Sequence, residues 1–400
     1  MDAEVGTIPT GAELVERARL LAPRLAEHAA ATETNRSMLP ETLADLRDAG
    51  FFRIMQARRY GGYELGVSTL VEVTMEIARG SASDAWVLGL CANQTRFIGC
   101  YPEAAQEEVF RRSGADLVTC LVTGPTATAE KADGGYRLTG RWPYVSGVDQ
   151  CNWLLLSAYD PEAAEKGAKS SLTFLIPRED VAEVIDDWHV LGLRGTGSKT
   201  VVLKDLFVPA HRTLNFWNYD EAPPPGAAVN PGALFQGVPR IAIFSMTVAA
   251  PAVGLALAAA DALADRLRAR RSPLMAGGAS ENQPLQIALG AAKDRAGIMR
   301  DLLFGAARDF QGQAEAGQRF TSDDRMRFRL RAAEVLKSSA QIVLDVFQAA
   351  GTGATFDGQV LQRLVRDALA IRSHVVVDYN SAAENVGRRA LGLDPKPPYN

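Results

Sequence analysis

The sequence predicts an α+β chain of several domains: an N-terminal helical domain, a central antiparallel β-barrel or sandwich, and a C-terminal four-helix bundle. Three observations along the 400 residues support this division. Apolar residues recur at helical spacing in 1–113, short β-branched and aromatic runs fill 114–220, and long helical patterns fill 240–400. The intervening residues 221–239 are rich in Pro, Gly and Ala, which is typical of a linker or surface loop.

The N-terminal domain carries clear helix signals. Apolar residues from Leu14 to Leu25 recur on one helical face. Pro40 stands where a helix can begin, and Gly50 stands where the same helix can end in a left-handed conformation. Residues 81–100 are small and apolar, so they predict a buried helix.

The central region contains five short runs of strand-forming residues. Turn-forming clusters such as Asp133-Gly134-Gly135 separate them, and no helical pattern intervenes. Strands at this spacing favour an antiparallel sandwich or barrel.

The C-terminal region predicts four long helices. Their approximate bounds are 240–271, 282–316, 322–350 and 357–390. Ser322 is a candidate N-cap and Gly351 a candidate terminating glycine for the third helix. Long Ala/Leu-rich helices need apolar cover, so we expect partner subunits to bury some of their faces.

Composition excludes several classes of function. The net charge of −4 provides no broad basic field, so we expect neither nucleic acid nor a membrane surface as partner. We expect no run of the roughly 20 apolar residues that a membrane helix needs. The N-terminus lacks the pattern of a signal peptide, which predicts a cytoplasmic protein. The four cysteines and four histidines are scattered, so the sequence predicts neither a disulfide framework nor a zinc site.

One glycine-rich segment superficially resembles a phosphate-binding loop. GLRGTGSKT, from Gly192 to Thr200, has Ser198 where that loop needs lysine. A strand-like run follows it, whereas a phosphate-binding loop opens a helix. We therefore interpret the segment as a turn between strands. The chain also lacks a GxGxxG fingerprint after a strand and a GxSxG nucleophile motif.

Several segments, in order along nearly the whole chain, resemble the acyl-CoA dehydrogenase superfamily. They are LPETLADLRDAGFFRI, RRYGGYELGVSTLVEVTMEIARGSAS, GYRLTGRWPYVSGVDQCNWLLL, WHVLGLRGTGSKTVVLKDLFVP and GTGATFDGQVLQRLVRDA. The resemblance implies an acyl-CoA dehydrogenase-like fold, a homotetramer, and a flavin held between the β domain and the bundle.

The same resemblance implies a set of cofactor contacts. Ser146 falls where the family places a hydroxyl near flavin N5, and Thr196 and Ser198 fall in the segment that crosses the barrel. Contacts across subunit interfaces are expected from Arg271, Gln283, Gln348, Gly351, Thr352 and Gly353.

The chain also departs from the family pattern. Most dehydrogenases of this family carry a catalytic glutamate at a position that falls here near Val375, with His374 beside it. A chain with this change resembles the two-component flavin monooxygenases, such as the oxygenase components that act on hydroxyphenylacetate, secosteroids or indoles. That branch implies reduced FAD or FMN from a separate NAD(P)H:flavin reductase. It also implies O2, a C4a-hydroperoxide, and hydroxylation or epoxidation of an aromatic substrate, either phenolic or indole-like.

Two other hypotheses remain open at this stage. One is an acyl-CoA dehydrogenase or related flavin oxidase with a displaced base. The other is a non-enzymatic helical assembly that has kept only the scaffold.

Each candidate site residue has a structural alternative. Ser146 would bind flavin N5 or cap a turn at Gly147, and His374 would act as a base, hold the peroxide oxygen, or pack on a bundle helix. Trp142 would stack in the cofactor site or pack in the core, and Arg194 would face the flavin's N1–O2 edge or stabilise its turn.

The apolar helix at 81–100 would wall the substrate pocket through Asn93, Gln94 and Phe97. Their structural alternative is a pair of amides that are hydrogen-bonded within the core. The segment lacks the histidine that the hydroxyphenylacetate enzymes carry here. This difference favours a neutral aromatic substrate such as indole over a carboxylated phenol.

Overall fold

The computed structural model describes residues 8–113, 118–159, 171–215, 223–269 and 278–396. The N-terminal part is helical, as the sequence predicts. Its helices are α1 (Gly11–Asn35), α2 (Pro40–Asp48), α3 (Gly66–Gly80), α4 (Ala82–Ile98) and α5 (Glu103–Ser113). Pro40 lies in the first turn of α2, and Gly50 follows that helix with φ 83°. Every residue of α4 is buried, which confirms the expected buried helix.

The central part forms one seven-stranded sheet. Its strands are β1 (Val118–Ala132), β2 (Gly135–Val145), β3 (Trp153–Tyr159), β4 (Ser171–Pro177), β5 (Glu183–Ile185), β6 (Lys199–Pro209) and β7 (Thr213–Leu214). Their spatial order is β5-β6-β2-β1-β3-β4-β7.

The strand pairs of this sheet are antiparallel except for β1 and β3, which run parallel. The prediction of a wholly antiparallel sheet was therefore wrong for this pair. After the hairpin at Gly134, β2 runs back along β1, so that it ends near the first residues of β1. Residues 146–152 then cross to the other side of β1, where β3 begins beside Val118. Because β3 starts at that end of β1, it runs in the direction of β1.

The described part of the C-terminal bundle contains five α-helices where four were expected. They are α6 (Arg240–Ala269), α7 (Gln283–Glu315), α8 (Ser322–Ala350), α9 (Val360–Arg372) and α10 (Tyr379–Ala390). The expected single helix at 357–390 was wrong, because it breaks after Arg372. Val375–Val377 form one short 3-10 turn, and Asp378 caps α10 by accepting from the backbone N–H of Ser381 at 2.8 Å.

The N-cap of α8 also differs from expectation by one residue. Thr321 caps the helix by accepting from the backbone N–H of Asp324, and Ser322 is the first helical residue. Gly351 ends α8 with φ 74°, as predicted.

The helices of both ends of the chain share one hydrophobic core, whereas the sheet has its own. Within that helical core, α6 is long and apolar enough to cross a membrane, so the expectation of no such stretch was wrong. Most of this stretch is buried inside the protein, which is typical of a core helix. Ser146 of the sheet region and His374 of the bundle both contact Trp86 of the helical core.

Candidate active site

Three buried hydroxyl side chains meet where the sheet faces the helices. The Oγ atoms of Ser146 and Ser198 are 2.7 Å apart, and Thr196 Oγ1 lies 2.6 Å from Ser198 Oγ. Each of the three residues is at most 5% exposed. We call Ser146, Thr196 and Ser198 the hydroxyl cluster. The structure thus brings together all three hydroxyls that the sequence assigned to the cofactor.

Backbone geometry positions the hydroxyl cluster. Ser146 opens the 146–152 crossover directly after β2, and Ser198 directly precedes β6. Leu193 and Gly197 both adopt left-handed conformations, with φ 54° and 53°, which turns the chain sharply on either side of Thr196. The N–H of Gly147 donates to the carbonyl of Thr196 at 2.8 Å, so a backbone hydrogen bond joins the two turns.

Trp86 is the site residue that the sequence did not reveal. Its indole Nε1–H donates to Ser146 Oγ at 3.2 Å, and its ring centroid lies 5.5 Å from that of His374. It therefore links the hydroxyl cluster to the bundle. The available signal was its position on α4, seven residues before Asn93 and on the same helical face.

His374 lies in the break between α9 and α10, where its ring approaches Trp86 and, at 5.6 Å, Phe244. Burial lowers the pKa of His374 to about 4, so the ring is neutral at pH 7. Its Nδ1 accepts a hydrogen bond from the backbone N–H of Val376 at 3.3 Å. In the neutral ring this hydrogen bond assigns the proton to Nε2, which is therefore a donor.

Helix α4 also carries buried polar groups that lack partners among the described residues. Asn93 and Gln94 are 0% exposed, and neither the N nor the O atom of either amide has a hydrogen-bond partner. Arg96 is 2% exposed, with Nε and Nη2 likewise unpartnered. We call Asn93, Gln94 and Arg96 the polar strip. The alternative in which the amides are hydrogen-bonded within the core does not hold, and their contact with substrate stays a prediction.

Two other predicted cofactor residues have structural partners. Trp142 is fully buried in the core of the sheet, where its Nε1–H donates to the carbonyl of Ser157 at 2.8 Å. Arg194 donates from Nε to the carbonyl of Val190 and lies 3.8 Å from Glu33. These contacts support core packing for Trp142 and turn stabilisation for Arg194.

The residues expected to meet a partner's cofactor lie on the bundle surface. Gln283 is exposed at the first turn of α7, and Gln348 is exposed near the end of α8. Gly351, Thr352 and Gly353 form the turn that follows, of which only Gly353 is partly buried. Arg271 lies outside the described residues. Exposure in a single chain leaves these groups available to another subunit.

The site combines side chains that can hold and orient a cofactor. Hydroxyl hydrogen bonds, a neutral imidazole and an indole converge in a place that excludes most water. The hydroxyl cluster fits a flavin because its hydroxyls donate as well as accept, and ring nitrogens need such partners. A carboxylate is absent from the position that a dehydrogenase of this fold would use, since His374 and Val375 stand there.

Comparison with known proteins defines the class. The N-terminal domain model of acyl-CoA dehydrogenases matches residues 12–108, and the C-terminal domain model matches residues 246–379. This chain belongs to the acyl-CoA dehydrogenase family, which confirms the resemblance seen in the sequence.

Its relatives within that family are oxygenases. The FADH2-dependent resorcinol hydroxylase oxygenase component of Rhizobium sp. is 32% identical, over 96% of both chains. The structure of a 3-HSA hydroxylase from Rhodococcus sp. RHA1 has a TM-score of 0.88 and 29% identity, over 96% of this chain and 98% of that one. XiaF from Streptomyces sp., solved with FADH2 and glycerol, has a TM-score of 0.86 and 26% identity, over 98% of both chains.

Proposed function

We propose that this chain is the oxygenase component of a two-component flavin-dependent monooxygenase, and that it hydroxylates an aromatic substrate. One observation carries the proposal: the hydroxyl cluster is joined through Trp86 to a neutral His374 that stands where the family's catalytic carboxylate would be. The relatives that match over nearly the whole chain carry the same activity in their names.

The cofactor is reduced FAD or FMN, delivered by a separate NAD(P)H:flavin reductase. When bound, it supplies the electrons that activate O2 for transfer of one oxygen atom. Ser146 would hold flavin N5 by a hydrogen bond. The hydrogen bonds that Ser146 Oγ makes with Trp86 and Ser198 already orient this hydroxyl before the cofactor binds. Burial of all three cluster residues keeps water from the reacting atoms.

His374 would act on the oxygen that is transferred. Its Nε2–H is the free donor of the ring, because Nδ1 already accepts from Val376. This geometry favours the role of holding the transferred oxygen over that of a general base. A ring with a pKa of about 4 is also a weak base at neutral pH.

The same facts weigh against an acyl-CoA dehydrogenase. Removal of a substrate α-proton needs a base of adequate strength at the reacting carbon. His374 is a poor base, and the neighbouring Val375 has no titratable group. The family models match acyl-CoA dehydrogenases by fold, but the site at His374 and Val375 does not supply the base that their reaction needs.

We propose a homotetramer, which acts in the cytoplasm. One face of α7 supports this assembly: Gly290, Gly297, Gly305 and Gly312 recur at intervals of seven or eight residues, and a Cβ at any of them would meet open space. Ile287 and Ile298 are exposed on the same helix. Glycines permit close approach of a second helix, and the exposed isoleucines supply apolar area for it to bury.

Light scattering tests the assembly. The native chain is expected to have the mass of four chains, and Gly297→Leu to have a smaller mass. Gly387→Leu is the matched control, because Gly387 on α10 also faces open space. A monomeric native chain, or equal masses for all three proteins, would contradict the proposal.

Oxygen reactivity tests the function. The chain is mixed anaerobically with reduced FAD, oxygenated buffer is added, and the absorbance of oxidised flavin is followed without substrate and with each of two phenols, resorcinol and para-hydroxyphenylbutanoate. We expect slower reoxidation than that of free flavin, and a hydroxylated product in place of part of the hydrogen peroxide. Reoxidation at the rate of free flavin with peroxide alone would refute the proposal, and bleaching of bound FAD by acyl-CoA would establish the dehydrogenase.

A further inference from the structure

The guanidinium of Arg96 is buried without a charge partner. Arg96 is 2% exposed, and among the described residues it makes one hydrogen bond, from Nη1 to the carbonyl of Leu234 at 3.0 Å, which leaves Nε and Nη2 unpartnered. No carboxylate lies within ion-pair distance of it in the part of the chain that the structure describes. Burial lowers the pKa of this guanidinium, yet arginine stays protonated at neutral pH. A buried cation of this kind is strongly unfavourable until an anion accompanies it.

Arg329 shows that this arrangement is not a general property of buried arginines in the chain. It is also 2% exposed, but it donates from Nε to the carbonyl of Val376 at 2.8 Å and from Nη2 to Ser381 Oγ at 3.2 Å. The helical core can therefore satisfy a buried guanidinium. At Arg96 it does not.

The Arg96 guanidinium lies next to the face of α4 that carries Trp86 and Asn93, about 60° around the helix from Asn93. Its central carbon is 4.2 Å from the centroid of the Phe97 ring. Phe97 shares a helical face with Asn93, four residues earlier, and with Trp86, eleven residues earlier. Trp86 touches both Ser146 and His374. One face of α4 thus joins Trp86 to Asn93 and Phe97, and Arg96 is the helical neighbour of both.

Asn93 adds a neutral donor beside the cation. It lies three residues before Arg96, a spacing at which helical side chains are neighbours, and its Nδ2 is unpartnered. A carboxylate needs several donors and no nearby acidic group. Arg96 Nε and Nη2 together with Asn93 Nδ2 provide such a set.

We propose that Arg96 and Asn93 bind the carboxylate of an aromatic acid, and that this acid is the substrate class of the enzyme. The inference rests on the proposed monooxygenase function. Asn93 is seven residues from Trp86, so the carboxylate would lie about 10 Å along the helix from Trp86, beside which the ring to be oxidised would sit. The substrate is thus an extended aromatic acid with several bonds between ring and carboxylate. The missing histidine favoured a neutral substrate, and the unpaired guanidinium reverses that expectation.

Calorimetric titration tests the proposal without turnover. The probes are para-hydroxyphenylbutanoate and its primary amide, titrated into the full chain in the presence of FAD. The acid is expected to bind the native chain at least about tenfold more tightly than the amide. In Arg96→Met this preference disappears while the amide's affinity stays within about twofold, and Arg96→Lys keeps part of the preference. Arg137→Met, which removes an exposed arginine of the sheet, keeps all of it.

The outcomes decide the proposal in each case. Equal affinities of acid and amide for the native chain, undetectable binding of the acid, or an unchanged preference in folded Arg96→Met would each overturn it. If circular dichroism shows that Arg96→Met is unfolded, the test uses the native chain and Arg96→Lys. The proposal then requires that the native chain prefers the acid over the amide and that Arg96→Lys keeps part of this preference. Because binding is read without oxygen, a failed oxygenase reaction with a retained preference for the acid refutes the proposed function alone. An active oxygenase that binds the acid and the amide equally well refutes only the carboxylate site.

Discussion

The hydroxyl cluster and the polar strip are both buried, and they differ in how their hydrogen bonds are satisfied. In the hydroxyl cluster, Ser146, Thr196 and Ser198 bond to one another at 2.6 and 2.7 Å, with Trp86 as a further donor. In the polar strip, both amides and two guanidinium nitrogens have no partner. Both regions are equally buried.

This difference separates two ways of preparing a site. The hydroxyl cluster is preorganised, because its hydroxyls already hold the orientation that a cofactor needs. The polar strip is incomplete, because unsatisfied buried polar groups destabilise the free protein and are satisfied only when a ligand arrives. Variants in the first region should therefore impair chemistry, whereas variants in the second should stabilise the free chain and impair recognition.

The largest effect is expected at His374, which meets the hydroxyl cluster through Trp86. His374→Ala removes the Nε2–H donor, so the yield of hydroxylated product per flavin oxidised should fall about a hundredfold. Product and hydrogen peroxide are assayed together, with His189→Ala as control because His189 is exposed on the surface. Unchanged coupling in His374→Ala would remove this residue from the mechanism.

Ser146→Ala should have the next largest effect. It removes the acceptor for Trp86 and the partner of Ser198, a loss worth about 1.4 kcal/mol, or roughly tenfold in the ratio of product to peroxide. Ser157→Ala is the control, because Ser157 bonds to Thr173 within the sheet. If the two variants retain equal coupling, the hydroxyl cluster is structural only.

Asp84, at the start of α4, resembles the polar strip because its buried carboxylate lacks hydrogen-bond partners. Both of its carboxylate oxygens lack a partner, and burial raises its pKa to about 7 from an ordinary value of 3.8. The folded state thus holds a proton that the unfolded state has lost, so stability falls as pH rises from about 4 to 7. Asp84→Asn should raise Tm by about 4 °C at pH 8 and by less at pH 5.

Calorimetric melting at the two pH values measures this difference. Asp367, whose burial raises its pKa to about 6, remains in the variant, so some pH dependence of the same sign persists. An equal gain in Tm at both pH values would show that Asp84 is not the titrating group.

The smallest effect is expected at Asn93. Asn93→Leu replaces two unpartnered amide atoms with apolar ones, which should raise the free energy of unfolding by about 1 kcal/mol and Tm by about 2 °C. Denaturant titration measures the gain, and Asn385→Leu is the control. Asn385 is also buried, but its amide bonds to Lys396. If Asn93→Leu destabilises as much as the control, the polar strip is already satisfied in the free protein.

Much of the fold and part of the site could be predicted from the sequence. Local spacing predicted the burial of α4 and the ends of α2 and α8, because helix periodicity and terminating glycines act over a few residues. It did not predict the break after Arg372, because the valines at 375–377 continue an apolar pattern. Only the capping of α10 by Asp378 shows where the next helix begins.

The sequence by itself determined the order of helical, β and helical parts, and it placed Ser146 and His374 as candidate residues. The tertiary structure decided what joins them. Trp86 reaches Ser146 across sixty positions of the chain, and β3 runs parallel to β1 because the crossover that carries Ser146 passes to its far side. The missing partner of Arg96 is also a tertiary fact. Local patterns specify which residues are buried, but only the packed chain shows which buried groups are satisfied.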